Sequence, residues 1–203
     1  MVYRRLGEDA QNPVTRQELW RTARQYLKDA EIAGYADSET YGSWGGLIKR
    51  ELENQLDSGD PAVAASLFRE MAEKYRAGFE SDPSYYTGVN LLMALRLSGR
   101  EKDESFREEF NEFLTVSRFL NRLAIADEPT DYWALATRAE LTLHECLENG
   151  QPVDVAAEQY AEAARYGNAD QVRSTKYQLR FLARYGDPQD VIERLNSVLD
   201  QAR

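Results

Sequence analysis

His144 and Cys146 are the only histidine and the only cysteine in the 203-residue chain, and a nucleophile–base pair is the first chemistry they suggest. They stand two apart on one predicted helix, about 200° apart around its axis. They therefore face different ways and cannot form a dyad within one chain. Cys146 reads as a small buried apolar residue, and without a second cysteine there is no internal disulfide. Glu140, His144 and Glu148 fall at i, i+4 and i+8, a row that could in principle hold a metal ion. A di-iron bundle needs a Glu-x-x-His pair from each of two helices, which one histidine cannot supply. The row reads as a polar helix face, and no metal or other cofactor is expected. No glycine-rich run joins a strand to a helix, so a phosphate-cradling loop is not predicted. With no catalytic constellation in sight, the chain is expected not to be an enzyme.

Two further groups of side chains suggest binding rather than catalysis. Arg173, Lys176, Arg180 and Arg184 are spaced 3, 4 and 4 apart, which lines one face of a helix. In one reading they lie in a concave groove and clamp an acidic peptide or a terminal carboxylate. In the other they pair with the acidic stretch 128–162, where eight carboxylates stand against one arginine; that pairing is the preferred reading, at ~0–1 kcal/mol per exposed pair. Tyr85-Tyr86 and Tyr132-Trp133 each begin a predicted helix. Adjacent positions point about 100° apart, so one aromatic of each pair can enter the core and leave the other accessible. Exposed Tyr86 and Trp133 beside Asn90, Thr137 and Glu140 would form a binding hot spot; burial of all four aromatics is the simpler expectation.

The elements that must position these groups are helices. All six prolines (Pro13, Pro61, Pro83, Pro129, Pro152, Pro188) stand where an apolar-periodic segment begins, the one part of a helix that tolerates the missing N–H. Asp60-Pro61, Asp82-Pro83 and Asp187-Pro188 read as an N-cap followed by the first helical residue. Gly34, Gly59, Gly99, Gly150, Gly167 and Gly186 follow periodic runs as stop signals. The spacing predicts helices over 15–33, 39–57, 61–80, 83–98, 101–126, 131–149, 152–166, 169–185 and 188–202. Phe106, Phe110, Phe113 and Leu120 mark the apolar side of the fifth, opposite Glu101, Asp103, Glu104, Glu108 and Glu112. Strand signals are nearly absent. First members of successive pairs begin near Glu39, Pro83, Asp131 and Asp170, a spacing typical of stacked helical hairpins. Gly42, Gly45, Gly46, Gly78 and Gly88 lie within helices and are expected at close helix–helix approaches.

Composition excludes several classes. With 25 Lys and Arg against 35 Asp and Glu the net charge is −10, a poor match for nucleic acid, whose binding rests on neutralising phosphates. No segment approaches the ~20 apolar residues that span a bilayer, and Met1 to Gln11 lacks the apolar stretch of a signal peptide. A cytoplasmic protein without membrane contact is expected.

Several phrases carry a family resemblance. Met71-x3-Tyr75-x2-Gly78-x4-Pro83 fits the second half of a tetratricopeptide repeat except for the large Met71, and Ala156-x3-Tyr160-x2-Ala163 is a partial second copy. Residues 39–50, 75–80, 83–90, 131–140 and 174–180 together resemble the tetratricopeptide-like regulatory domain of apoptosis signal-regulating kinases and its stand-alone bacterial relatives. The resemblance implies a regulatory or scaffolding surface, with no phosphoryl transfer because no kinase motif is present. The expectation is one all-α domain over 1–203: a right-handed superhelical array of about four antiparallel hairpins (39–203) behind a capping helix (15–33). It would act as a noncatalytic interaction module that binds a protein or acidic peptide, such as a signalling or defence effector, on its concave face. Tyr86, Asn90, Trp133, Thr137, Glu140, Arg173, Lys176, Arg180 and Arg184 are the candidate partner-binding residues. An all-α enzyme or small-molecule sensor, with a closed cavity lined by Tyr86, Asn90, Glu140 and Arg180, is the alternative; self-association through the terminal helices also stays open.

Overall fold

The computed structural model describes residues 12–55, 61–98, 102–186 and 188–202. Among these residues there are nine helices and no strand: α1 (Pro13–Ile32), α2 (Ser38–Gln55), α3 (Pro61–Ser81), α4 (Tyr85–Leu97), α5 (Glu104–Asp127), α6 (Tyr132–Asn149), α7 (Asp154–Ala164), α8 (Ala169–Arg184) and α9 (Gln189–Gln201). Consecutive helices pack as hairpins α2–α3, α4–α5, α6–α7 and α8–α9, and the hairpins stack. The fold is the expected all-α helical repeat array.

Caps explain most boundaries and the few that differ. Pro13 opens α1 behind Asn12, whose side chain accepts the Val14 N–H. Pro83 does not begin α4 as expected. Ser84 is the N-cap, its hydroxyl accepting the Thr87 N–H at 3.1 Å, because a side-chain acceptor beside the orphan N–H groups outcompetes proline. At Pro152 the helix waits until Asp154, since Val153, without a capping side chain, turns into the core at 6 % exposure. Pro188 sits at the cap of α9 rather than inside it. The expected caps Asp60 and Asp187, the stops Gly59 and Gly99, and the segment Met1 to Gln11 lie outside the described residues. Gly150 ends α6 in the left-handed region, φ 63°, where a Cβ would be strained.

One continuous core runs from Trp44 on α2 to Leu199 on α9. The central α4 is buried from Thr87 to Leu95, because it packs against helices of three hairpins. Close approach has a specific cause at Gly45 of α2: a Cβ there would stand 2.5 Å from the Tyr75 ring of α3. Any side chain would push the hairpin apart. α1 lies on α2 through Trp20, Ala23 and Leu47, and Lys74 of α3 reaches back to Glu31 at 2.7 Å.

The array is curved enough for its first and last hairpins to meet. The Phe68 ring of α3 packs on Tyr185, centroids 4.9 Å apart, and on Phe181 at 6.1 Å. Across the same gap Lys49 donates to the Gln178 amide oxygen, Arg50 donates to the Tyr177 hydroxyl, and that hydroxyl donates to Glu53. The α2–α8 bridge turns an open inner wall into a bounded cavity.

Candidate functional site

The cavity inside the curve holds about 260 Å³ and is lined from α2, α3, α4, α6 and α8. Its rim is aromatic. Asp131 caps α6 by accepting the N–H groups of Trp133 and Ala134 at 3.2 and 3.0 Å. That cap sets the helix phase: Tyr132 turns inward, 2 % exposed, and Trp133 stays 45 % exposed. The Tyr132 hydroxyl meets Thr175 Oγ1 at 2.6 Å, tying α6 to α8. On α4, Tyr85 is half-buried while Tyr86 is 54 % exposed. The expected burial of all four aromatics is thus corrected, because neighbouring positions on a helix cannot share one face. Asn90 Nδ2 donates to the Tyr86 carbonyl at 2.8 Å, holding the side chain at the rim.

The floor is charged. Glu140 of α6 is 13 % exposed and accepts from Gln178 Nε2 at 2.7 Å; Gln178 in turn accepts from Lys49. One amide therefore bridges an ammonium and a carboxylate. Burial pushes the Lys49 ammonium down to about 8, against the pull of Glu140. Its Nζ lies 4.7 Å from the Phe181 ring centroid. Burial also pushes the Glu140 carboxyl up, but His144, the Gln178 amide and Lys49 outweigh it and hold the group below its usual value. Glu140 is therefore an anion at neutral pH, with Lys49 mostly a cation beside it.

Behind the floor the expected polar row is not a surface. His144 is fully buried. Arg96 Nη1 donates to its Nδ1 at 3.0 Å, which leaves the proton on Nε2, 3.6 Å from Glu140. Glu148, 8 % exposed, pairs with Lys102 at 2.6 Å and lies 3.9 Å from Arg96. The row is buried because Arg96 of α4 and Lys102 of the α4–α5 connection supply the cations that offset its charge, a tertiary fact that helical spacing does not contain. Cys146 is buried as expected, and that burial pushes its thiol up.

Of the predicted site residues, Tyr86, Asn90, Trp133, Thr137 and Glu140 line the cavity together. Arg173, Lys176, Arg180 and Arg184 do not. The stripe turns away from the inner wall, and it also does not pair with α6 and α7. Arg173 bonds Asp170 of its own helix at 2.8 Å and Lys176 bonds Asp200 of α9 at 2.7 Å. Arg180 and Arg184 are exposed and form no ion pair among the described residues. The acids of α6 and α7 have other partners: Arg118 holds Glu145 at 2.9 Å and Arg138 holds Glu162 at 2.6 Å. Arg194 of α9 takes Asp154.

Lys49, Arg50, Tyr177 and Gln178 were missed by motif reasoning, though a signal for them existed. Every residue lining the inner cavity falls within one of the five phrases 39–50, 75–80, 83–90, 131–140 and 174–180. Those phrases carried the family resemblance. A family model described as Tetratricopeptide Repeats-Sensor matches residues 3–95, and one described as MAP3K TRAFs-binding domain matches residues 50–162. No curated protein and no solved structure matches the chain.

Proposed function

The chain belongs to the MAP3K TRAFs-binding domain family, and from that premise we propose that it is a regulatory or scaffolding module that takes a protein partner at the inner cavity. The carrying observation is the coincidence of two independent sets. The described residues that line this cavity all fall within the phrases that make the sequence resemble its family, whereas the most conspicuous charge pattern on α8 lies elsewhere. The chemistry suits a partner. Exposed Tyr86 and Trp133 offer rigid, amphipathic contact area at low entropic cost, and the Lys49–Gln178–Glu140 floor offers oriented polar groups that fix register. Glu140 and Thr137 both line the cavity, so an incoming group meets a carboxylate and a hydroxyl there. The half-exposed rim favours a macromolecule that inserts one side chain or a short segment. A small molecule engulfed in the cavity is less favoured, because about 260 Å³ is under the usual size of such sites, ~300–1,000 Å³.

The test is capture from the native extract with the intact chain, followed by calorimetric titration of the purified partner. Trp133→Ala and Tyr86→Ala should each weaken that partner at least about tenfold, as hot-spot truncations do. Undiminished affinity in both variants, with helicity retained, would sink the reading.

A further inference from the structure

The chain has five lysines. Lys74, Lys102 and Lys176 stand in ion pairs with Glu31, Glu148 and Asp200, and Lys28 is exposed on α1. Lys49 differs from all four. It lines the inner cavity, and its Nζ forms no ion pair among the described residues. Its acceptor is a neutral amide, that of Gln178. The rings of Phe181 and Tyr177 lie beside it, with centroids 4.7 and 5.7 Å away. The charged groups around it are Arg50 and Glu53 of its own helix and Glu140 of α6.

Such surroundings make an amine nucleophilic. Desolvation and a neighbouring cation both disfavour the ammonium, and Arg50 is that cation. A pKa of about 8 in place of 10.5 raises the neutral fraction at pH 7 about 300-fold, to roughly a tenth. The amine is also positioned and reachable. Gln178, which accepts from Lys49, donates to Glu140 at 2.7 Å, and the cavity of about 260 Å³ opens at a rim where Tyr86 and Trp133 are exposed.

Charge decides which electrophile fits. Glu140 is ionised, and Lys49 is one of the groups that hold it so. Acylation would make the lysine nitrogen neutral, and a carbamate from carbon dioxide would make it anionic. Either product leaves Glu140 short of a cation where an uncompensated buried charge is costly. Condensation with an aldehyde is different, because the imine nitrogen can keep a proton and its positive charge. A covalent bond also lifts the size requirement on small ligands, since affinity no longer has to come from buried area.

We propose that Lys49 is a modification site for small uncharged aldehydes, which condense with its amine to give a protonated imine held beside Glu140. Overall the ammonium and the aldehyde give an iminium and one water. The carbon–nitrogen double bond forms, the carbon–oxygen bond breaks, and the oxygen leaves with two protons from the nitrogen. No oxidant or reductant is consumed. The aromatic rim suits an aldehyde with a flat apolar body. An adduct fills the space assigned above to the partner and would exclude it; that consequence rests on the partner reading, whereas the adduct itself does not.

The test treats the purified intact chain at pH 7 with benzaldehyde, traps the imine with cyanoborohydride and locates the label by peptide mass mapping. Lys49 should be labelled at least about tenfold faster than Lys28, at a rate that saturates with benzaldehyde concentration. Lys49→Arg keeps the charge and should lose the fast label while helicity and Lys28 labelling persist. Equal labelling of Lys49 and Lys28, or a rate at Lys49 that rises without saturation, overturns the proposal. A second measurement tests the choice of electrophile by ¹³C NMR of the chain in ¹³C-bicarbonate. A carbamate signal that disappears in Lys49→Arg would show that charge does not select the electrophile, and would overturn the assignment to aldehydes; its absence is expected. Neither failure touches the partner reading, which the Trp133→Ala and Tyr86→Ala titrations decide.

Discussion

Two faces of α8 differ in a way that matters for the whole molecule. One carries Arg173, Lys176, Arg180 and Arg184, conspicuous in the sequence; the other carries Ser174, Tyr177 and Gln178, uncharged and unremarked. The uncharged face closes the array onto α2, forms the cavity wall and bridges Lys49 to Glu140. The charged face points away from that cavity, and its ion pairs reach no farther than its own first turn and α9. Charge density on a helix therefore says little about where a binding surface lies. A solvated cation costs nothing to keep on any outward face, whereas a buried amide between two ions survives only where its partners are supplied.

The difference can be broken first at Glu140. Glu140→Ala leaves His144 and Lys49 without their buried anion and should destabilise the chain by about 3 kcal/mol, read as the urea midpoint. A loss under about 1 kcal/mol would mean that the floor is wetter than its geometry implies. Next comes Lys49, whose pKa falls from 10.5 to about 8 on folding. Below pH 8 both states hold the proton, and the folded state bears the full cost of the buried charge. Between pH 8 and 10.5 the unfolded state binds more protons, so wild-type stability rises with pH. Lys49→Met removes this titration; its stability relative to wild type should therefore fall by on the order of 2 kcal/mol from pH 7 to pH 10. A pH-independent difference would show that Lys49 titrates normally.

Tyr132→Phe sharpens the inner side. It deletes the 2.6 Å bond to Thr175 and strands that hydroxyl, at a cost of roughly 1–1.5 kcal/mol, measurable by thermal unfolding. The smallest effect belongs to the outer face. Arg180→Glu and Arg184→Glu should each change stability by less than about 0.5 kcal/mol and leave partner capture intact; a large loss of binding in either would return the stripe to the functional surface.

Much of the fold was legible from local chemistry. The Gly150 stop and the Phe106–Phe110–Phe113 stripe place their helices because left-handed turns and apolar spacing act within a few residues. Differences appear where a neighbour decides: Val153 delays α7 because the core takes it, and Ser84 outranks Pro83. The candidate site was half legible. Tyr86, Asn90, Trp133, Thr137 and Glu140 follow from helix phase and family phrases, whereas the Lys49–Gln178 link joins residues 129 positions apart, and no spacing rule reaches that far. The polar row Glu140, His144 and Glu148 reads as surface in the sequence because its cations, Arg96 and Lys102, come from outside its own helix.

Sequence alone set the helices, their pairing into hairpins and the family to which the chain belongs, since caps, periodicity and phrase content are short-range properties. Only the tertiary structure decided that the hairpins curve until α8 touches α2, enclosing a cavity with an ionised floor and an aromatic rim. The physical reason is that curvature accumulates from small packing offsets at each helix interface, such as the close approach at Gly45, and whether a buried ion is tolerated depends on partners that meet it only after that curvature is complete.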